Sequence, residues 1–232
     1  MYKLFIYLTA FSIAMAFSEA AVVVYLRQLY YPSGFVFPLT TVVLKNLWIE
    51  YLREIATIAM LASIAILSGK NRIERIAAFL FSFGVWDIFY YLWLKVLIDW
   101  PTSLFAWDVL FLIPVVWVAP VLAPIICAVM MIVMALFLLK VQQKNKIIAF
   151  RKTEILLWIS GCSVILFTFM IDSMKLLWKT GFPESLVNPF KNPKLLEAIS
   201  QYVPASYHWE LFALGEIAIV CGLLLFLKRS AL

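Results

Sequence analysis

Carboxylates inside apolar runs are the residues of this chain best suited to do chemistry. Glu19, Asp87 and Glu216 each interrupt a stretch that is otherwise apolar enough to cross a lipid bilayer. An ionisable side chain in such a position is costly in lipid, and we therefore interpret it as part of a functional site. The sequence thus predicts a membrane protein with an acidic interior.

A second acidic group is predicted where another apolar run begins. Glu50, Arg53 and Glu54 are three or four residues apart and share one face of a helix. The arginine can neutralise one of the two carboxylates, so a negative charge is left for another partner.

Polar side chains also recur every fourth residue from Asp87 to Asp99, through Tyr91 and Lys95. This spacing keeps them near one helical face. Such a row is typical of a water-filled cavity or of a polar contact between helices. If the protein is an enzyme, we expect Asp87, Tyr91 and Glu54 to be its catalytic residues.

A divalent metal ion is the cofactor that these residues suggest. Oxygen ligands suit hard cations, and a histidine beside them suits iron, manganese or zinc. The chain has one histidine, which excludes a bis-histidine haem, a His-Glu-x-x-His zinc site and the repeated Glu-x-x-His of di-iron bundles. The candidate ligands are Glu19, Glu50, Glu54, Asp87, His208, Glu210 and Glu216.

Other functions are consistent with the same residues. Proton- or cation-coupled transport would use Asp87 and Glu19 as titrating groups. A subunit or assembly factor of a larger complex, or a homo-oligomer, would dock partners through aromatic external loops. Asp87 could also be a hydrogen-bonded contact between helices, and His208 an interfacial helix cap.

Composition determines the fold class. Hydrophobic residues form 65% of the 232 residues, and the mean hydropathy is +0.99, far above soluble domains. We expect an all-α, polytopic protein with one integral membrane domain over residues 1–232 and six transmembrane helices in one bundle. Prolines at 114, 120 and 124 should kink a long fourth helix. The expected spans are 4–26, 47–67, 76–98, 109–139, 154–177 and 208–227.

Loop charges predict the orientation. Segments 69–75 and 140–152 and the C-terminal tail are basic, whereas 99–108 carries two aspartates and no basic residue. By the positive-inside rule both termini are cytoplasmic, in the cell (inner) membrane. The net charge of +6 thus reflects topology, and nucleic-acid binding is not expected.

This orientation puts eleven of the thirteen carboxylates, Glu184 among them, on the external side. The sequence therefore predicts an outward-facing acidic pocket that binds a cation, in a metal-dependent enzyme acting on a lipid-like or membrane-associated substrate.

Overall fold

The computed structural model describes residues 2–39, 47–144, 149–181 and 193–230. Within these ranges, six helices are long and apolar enough to cross a membrane. The chain order is α1 (Tyr2–Tyr30), α2 (Leu47–Ser68), α3 (Arg72–Ile98), β1 (Trp107–Val109), β2 (Val118–Pro120), α4 (Leu122–Lys144), α5 (Lys152–Gly181), α6 (Pro193–Gln201) and α7 (Trp209–Ser230). All but α6 among the helices are of membrane-spanning length.

The fourth predicted span is wrong over its first part. The helix was expected from 109 to 139 with a proline kink, but α4 begins at Leu122. Before it, β1 and β2 pair antiparallel, with Asp108 opposite Ala119. Proline has no N–H for a helical hydrogen bond and clashes with the preceding turn, so Pro114 and Pro120 lie outside the helix. Pro124 lies in its first turn, where a missing N–H costs nothing.

The ends of the long helices lie on two sides of the protein, which we name the hairpin end and the tail end. The hairpin end holds the ends of α1 and α3, residues 99–121 with β1 and β2, and α6. The tail end holds the 69–71 turn, residues 149–151 and the end of α7. The predicted topology used the basic segment 140–152 and placed Glu184 on the external side. Residues 145–148 of that segment and Glu184 lie outside the described ranges.

Helix α3 packs against α1, α2 and α4, so the residues at its middle are enclosed. Gly84 allows the contact with α4, since a Cβ at this position would lie 2.5 Å from the carbonyl oxygen of Ala128. On the other side of the protein, Gly161 of α5 and Gly215 of α7 face each other in the same way. Small residues thus bring these helix pairs close together, as is common in membranes.

Helix α6 is the short helix of the hairpin end, from Pro193 to Gln201. Leu195 is buried, and the hydroxyl of Tyr202, just after the helix, donates a 2.6 Å hydrogen bond to Asp172 of α5. The helix is therefore attached to the hairpin end of α5 by its own apolar face and by this hydrogen bond.

Candidate functional site

A cavity of about 610 Å³ lies between the long helices. All six of the membrane-length helices contribute to its wall, together with the segment from Asp108 to Trp117. Among the described residues, six carboxyl groups line it, against two guanidinium groups. The carboxyl groups belong to Glu19, Glu50, Glu54, Asp87, Asp108 and Glu216, and the guanidinium groups to Arg27 and Arg53.

Glu19 is bound by α2. Its carboxylate accepts hydrogen bonds from the Arg53 guanidinium and the Thr57 hydroxyl. Arg53 also donates to Glu50 at 2.9 Å. The predicted patch on α2 therefore neutralises a carboxylate of α1, and the arginine holds Glu50 and Glu19 at the same time.

Arg53 binds Glu50 of the predicted patch, and Glu54 has a backbone partner. Both of its carboxylate oxygens lie within 3.0 Å of the backbone N–H of Leu112, in the segment between β1 and β2. Glu54 is buried, and this N–H satisfies it. The residue thus attaches the hairpin end to α2.

Arg27 and Asp108 form a buried ion pair that the sequence reasoning did not place in the site. The Arg27 guanidinium is 3.0 Å from Asp108. It lies 3.7 Å from the ring centre of Trp100 and 4.4 Å from that of Phe35, within the range of cation–π attraction. Burial raises the pKa of Asp108 to about 6, although Arg27 acts in the opposite direction.

The two residues are 81 positions apart, so no local spacing connects them. The sequence marks Arg27 only as a basic residue at the end of an apolar run that is followed by aromatic residues. Asp108 was visible only as an aspartate in an acidic turn.

Asp87 is the least satisfied carboxyl group in the cavity. It lies in the middle of α3 and is 9% exposed, and the described residues give it neither a hydrogen bond nor an ion pair. Asp108 is near enough to repel it electrostatically. The expected polar row divides here, because Tyr91 is buried with Asp87, whereas Lys95 pairs with the exposed Asp99.

Glu216 is nearly as free. One oxygen accepts a 3.4 Å hydrogen bond from the Cys127 thiol of α4, and the other is buried with no hydrogen-bond partner in the part of the chain that is described. Asp87 is also close enough to interact electrostatically with Cys127. The Cys127 thiol thus contacts the carboxylate of α7 and is within electrostatic range of the carboxylate of α3.

Donors without partners line the same cavity. The indole N–H groups of Trp86, Trp117 and Trp158 are buried and have no acceptor among the described residues. A buried donor without an acceptor costs free energy, so these three indoles are unsatisfied groups in the cavity wall, as far as the described residues show.

The remaining predicted ligands lie away from the cavity. His208 precedes the first turn of α7 and its carbonyl accepts from Phe212 N–H, as expected of a cap, and Glu210 is exposed; neither lines the cavity. Over the described ranges, no three His, Cys, Asp or Glu side chains are grouped closely enough to hold a metal ion. Of the three predicted catalytic residues, Asp87 and Tyr91 form no ion pair with any described residue. Glu54 accepts a hydrogen bond from the backbone N–H of Leu112.

A further cavity of about 660 Å³ lies at the hairpin end. Arg27, Tyr31 and Phe35 line both this cavity and the one between the long helices. The Arg27 ion pair and its aromatic neighbours therefore stand between the two spaces.

Comparison with known proteins adds no family: no protein-family model, curated protein or solved structure matches this chain.

Proposed function

We propose that the protein crosses the cell (inner) membrane six times as one bundle, with both termini in the cytoplasm. The support is the charge at the tail end, where basic side chains outnumber acidic ones, and this agrees with the positive-inside rule. The hairpin end then faces outward, and the acidic cavity opens towards the external side. The described basic residues at the tail end include Lys70, Arg72, Arg75, Arg151, Lys152, Lys228 and Arg229.

The function that the geometry supports best is cation binding in this cavity. The observation that carries it is the state of Asp87 and Glu216, which line the cavity with neither a basic side chain nor a backbone N–H against them in the described residues. Burying an unpaired carboxylate is costly, and a bound cation is a favourable way to offset that cost. A divalent metal held there would have these two carboxylates and water as ligands.

Binding can be measured by isothermal calorimetry on the purified protein in lipid nanodiscs. The probes are tetramethylammonium and Mn²⁺, titrated separately. We expect at least one of them to bind with one-to-one stoichiometry, and Asp87→Asn and Glu216→Gln each to weaken it at least tenfold. Glu210→Gln is the control, because Glu210 is exposed and outside the cavity. Wild-type binding of neither probe, or binding that survives both cavity variants, would refute the proposal.

Cation transport is a second candidate, favoured by the position of Arg27 between the two cavities. A cation arriving from outside would pass the Arg27–Asp108 pair to reach Asp87. Uptake of radiolabelled tetramethylammonium into proteoliposomes tests this idea, with Asp87→Asn as the inactive comparison. Binding without uptake would exclude transport and leave a binding or catalytic site.

A further inference from the structure

The cavity between the long helices has two chemically different regions. Its carboxylates lie in the half nearer the hairpin end. Towards the tail end, its wall consists mainly of apolar side chains of α3 and α4, which we name the apolar chamber: Ile76, Leu80, Phe83, Met130, Met131 and Met134. Ile76, which is 42% exposed, precedes Asp87 by three helical turns, so the lining of the chamber extends about 16 Å along α3 from the level of Asp87.

A small hydrated cation would occupy only the charged region. The apolar chamber would then hold neither protein atoms nor ligand atoms, and its lining would lose the dispersion contacts that a filled interior provides. Three of the six chamber residues are methionines, whose flexible thioether side chains adapt to apolar ligands of varied shape. The cavity volume of about 610 Å³ is within the range of pockets that enclose drug-sized molecules.

The charged region also contains a carboxylate oxygen that has no hydrogen-bond partner among the described residues. The second carboxylate oxygen of Glu216 is buried without a hydrogen bond from the described residues, and Glu216 as a whole is 9% exposed. Asp87 of α3 and Glu216 of α7 line the same cavity. A positive group bound in this part of the cavity would offset the cost of burying these carboxylates.

We propose that the ligand is a cationic amphiphile, with an ammonium head at Asp87 and Glu216 and one apolar chain in the chamber. This inference rests on the cation site proposed above and adds the class of molecule that the site takes. Head and chain are recognised by separate residues, so the two claims can be tested separately.

The experiment compares tetramethylammonium, which is the head alone, with decyltrimethylammonium, which adds a chain shorter than the chamber is deep. Both are titrated into wild-type protein in nanodiscs of neutral lipid, with empty nanodiscs subtracted. We expect decyltrimethylammonium to bind at least a hundredfold more tightly by its free aqueous concentration, since each buried CH₂ contributes about a fourfold factor.

Two variants on adjacent positions of α4 isolate the chain. Met130→Trp fills the chamber, and Val129→Trp places the same side chain at a position that is 48% exposed and outside the cavity. Met130→Trp should weaken decyltrimethylammonium at least tenfold and change tetramethylammonium less than twofold. Val129→Trp should change neither. Met134→Phe, a milder filling of the same chamber, replaces Met130→Trp if that variant does not fold.

The outcomes separate the two proposals. Equal affinity of the two ammonium ions, or decyltrimethylammonium binding unaffected by either chamber variant, would overturn the amphiphile inference and leave the cation site intact. If tetramethylammonium does not bind and decyltrimethylammonium binds equally to wild type, Asp87→Asn and Glu216→Gln, the cation site itself is refuted and the amphiphile proposal fails with it.

Discussion

The buried pair of Arg27 and Asp108 allows a sharp test of whether burial or ion pairing dominates at the hairpin end. The side chain of Asp108 is 3% exposed and that of Arg27 is 9% exposed. Ion pairing favours the charged carboxylate, whereas burial favours the neutral acid. Tyr91 and Asp87 of α3 also face this pair, and the charge of Asp87 repels that of Asp108. The perturbation is Asp108→Asn, which keeps the shape of the side chain and removes its titration.

The magnitude follows from the pKa of Asp108, which burial raises from the ordinary 3.8 to about 6. Between these values the folded protein binds more protons than the unfolded chain, so the free energy of unfolding falls as the pH rises. The loss begins near pH 4 and is complete above pH 6. A shift of about two pH units corresponds to roughly 3 kcal/mol.

The assay is thermal unfolding of the protein in detergent between pH 4 and pH 7.5, for wild type and variant in parallel. We expect the stability of Asp108→Asn relative to wild type to rise by about 2–3 kcal/mol across this range. Arg27→Gln should extend the loss to higher pH and increase its total in an otherwise wild-type chain, because it removes a group that lowers the pKa of Asp108. The control is Asp99→Asn, since the side chain of Asp99 is 89% exposed and its replacement should leave the wild-type pH profile unchanged.

The opposite slope would refute this reasoning. If wild type gains stability relative to Asp108→Asn as the pH rises, the Arg27 guanidinium outweighs burial, and the ion pair is a net stabilising contact. A flat difference would mean that Asp108 is solvated at the hairpin end.

Two further predictions concern packing away from the cavity. Gly161→Val should destabilise the protein by about 2–3 kcal/mol in thermal unfolding, because an added Cβ would lie 2.7 Å from a carbonyl oxygen of α7. The control is Ser160→Val, which lies on the exposed face and should have little effect. Equal effects of the two variants would contradict the close α5–α7 contact. Arg229→Gln should cost about 2–3 kcal/mol, because it breaks hydrogen bonds at 2.9 and 3.0 Å to the buried Glu154. The matched control is Lys228→Gln, because Lys228 is the exposed neighbour of Arg229. If Lys228→Gln causes the same loss of stability, only the net charge matters.

Membrane-length helices could be predicted from this sequence because the signal is local. A run of about 20 apolar residues is enough to cross a bilayer, and it is read directly from the chain. Prediction failed at residues 109–121, since hydropathy does not distinguish an apolar helix from an apolar pair of strands. Spaced prolines at 114 and 120 were interpreted as a kink, whereas they stop the helix from starting before Leu122.

The sequence alone indicated which carboxylates to consider, because each lies in or beside an apolar run. The structure shows that Glu19, Glu54, Asp87 and Glu216 are buried and line one cavity. Only the tertiary structure decided which of them are satisfied. Glu19 meets Arg53 from another helix, and Glu54 meets a backbone N–H 58 positions away. Helical periodicity gives the face on which a side chain lies, but the partner depends on how helices pack. Among the described residues, that packing places no basic side chain against Asp87 or Glu216, and these two carboxylates are the centre of the proposed site.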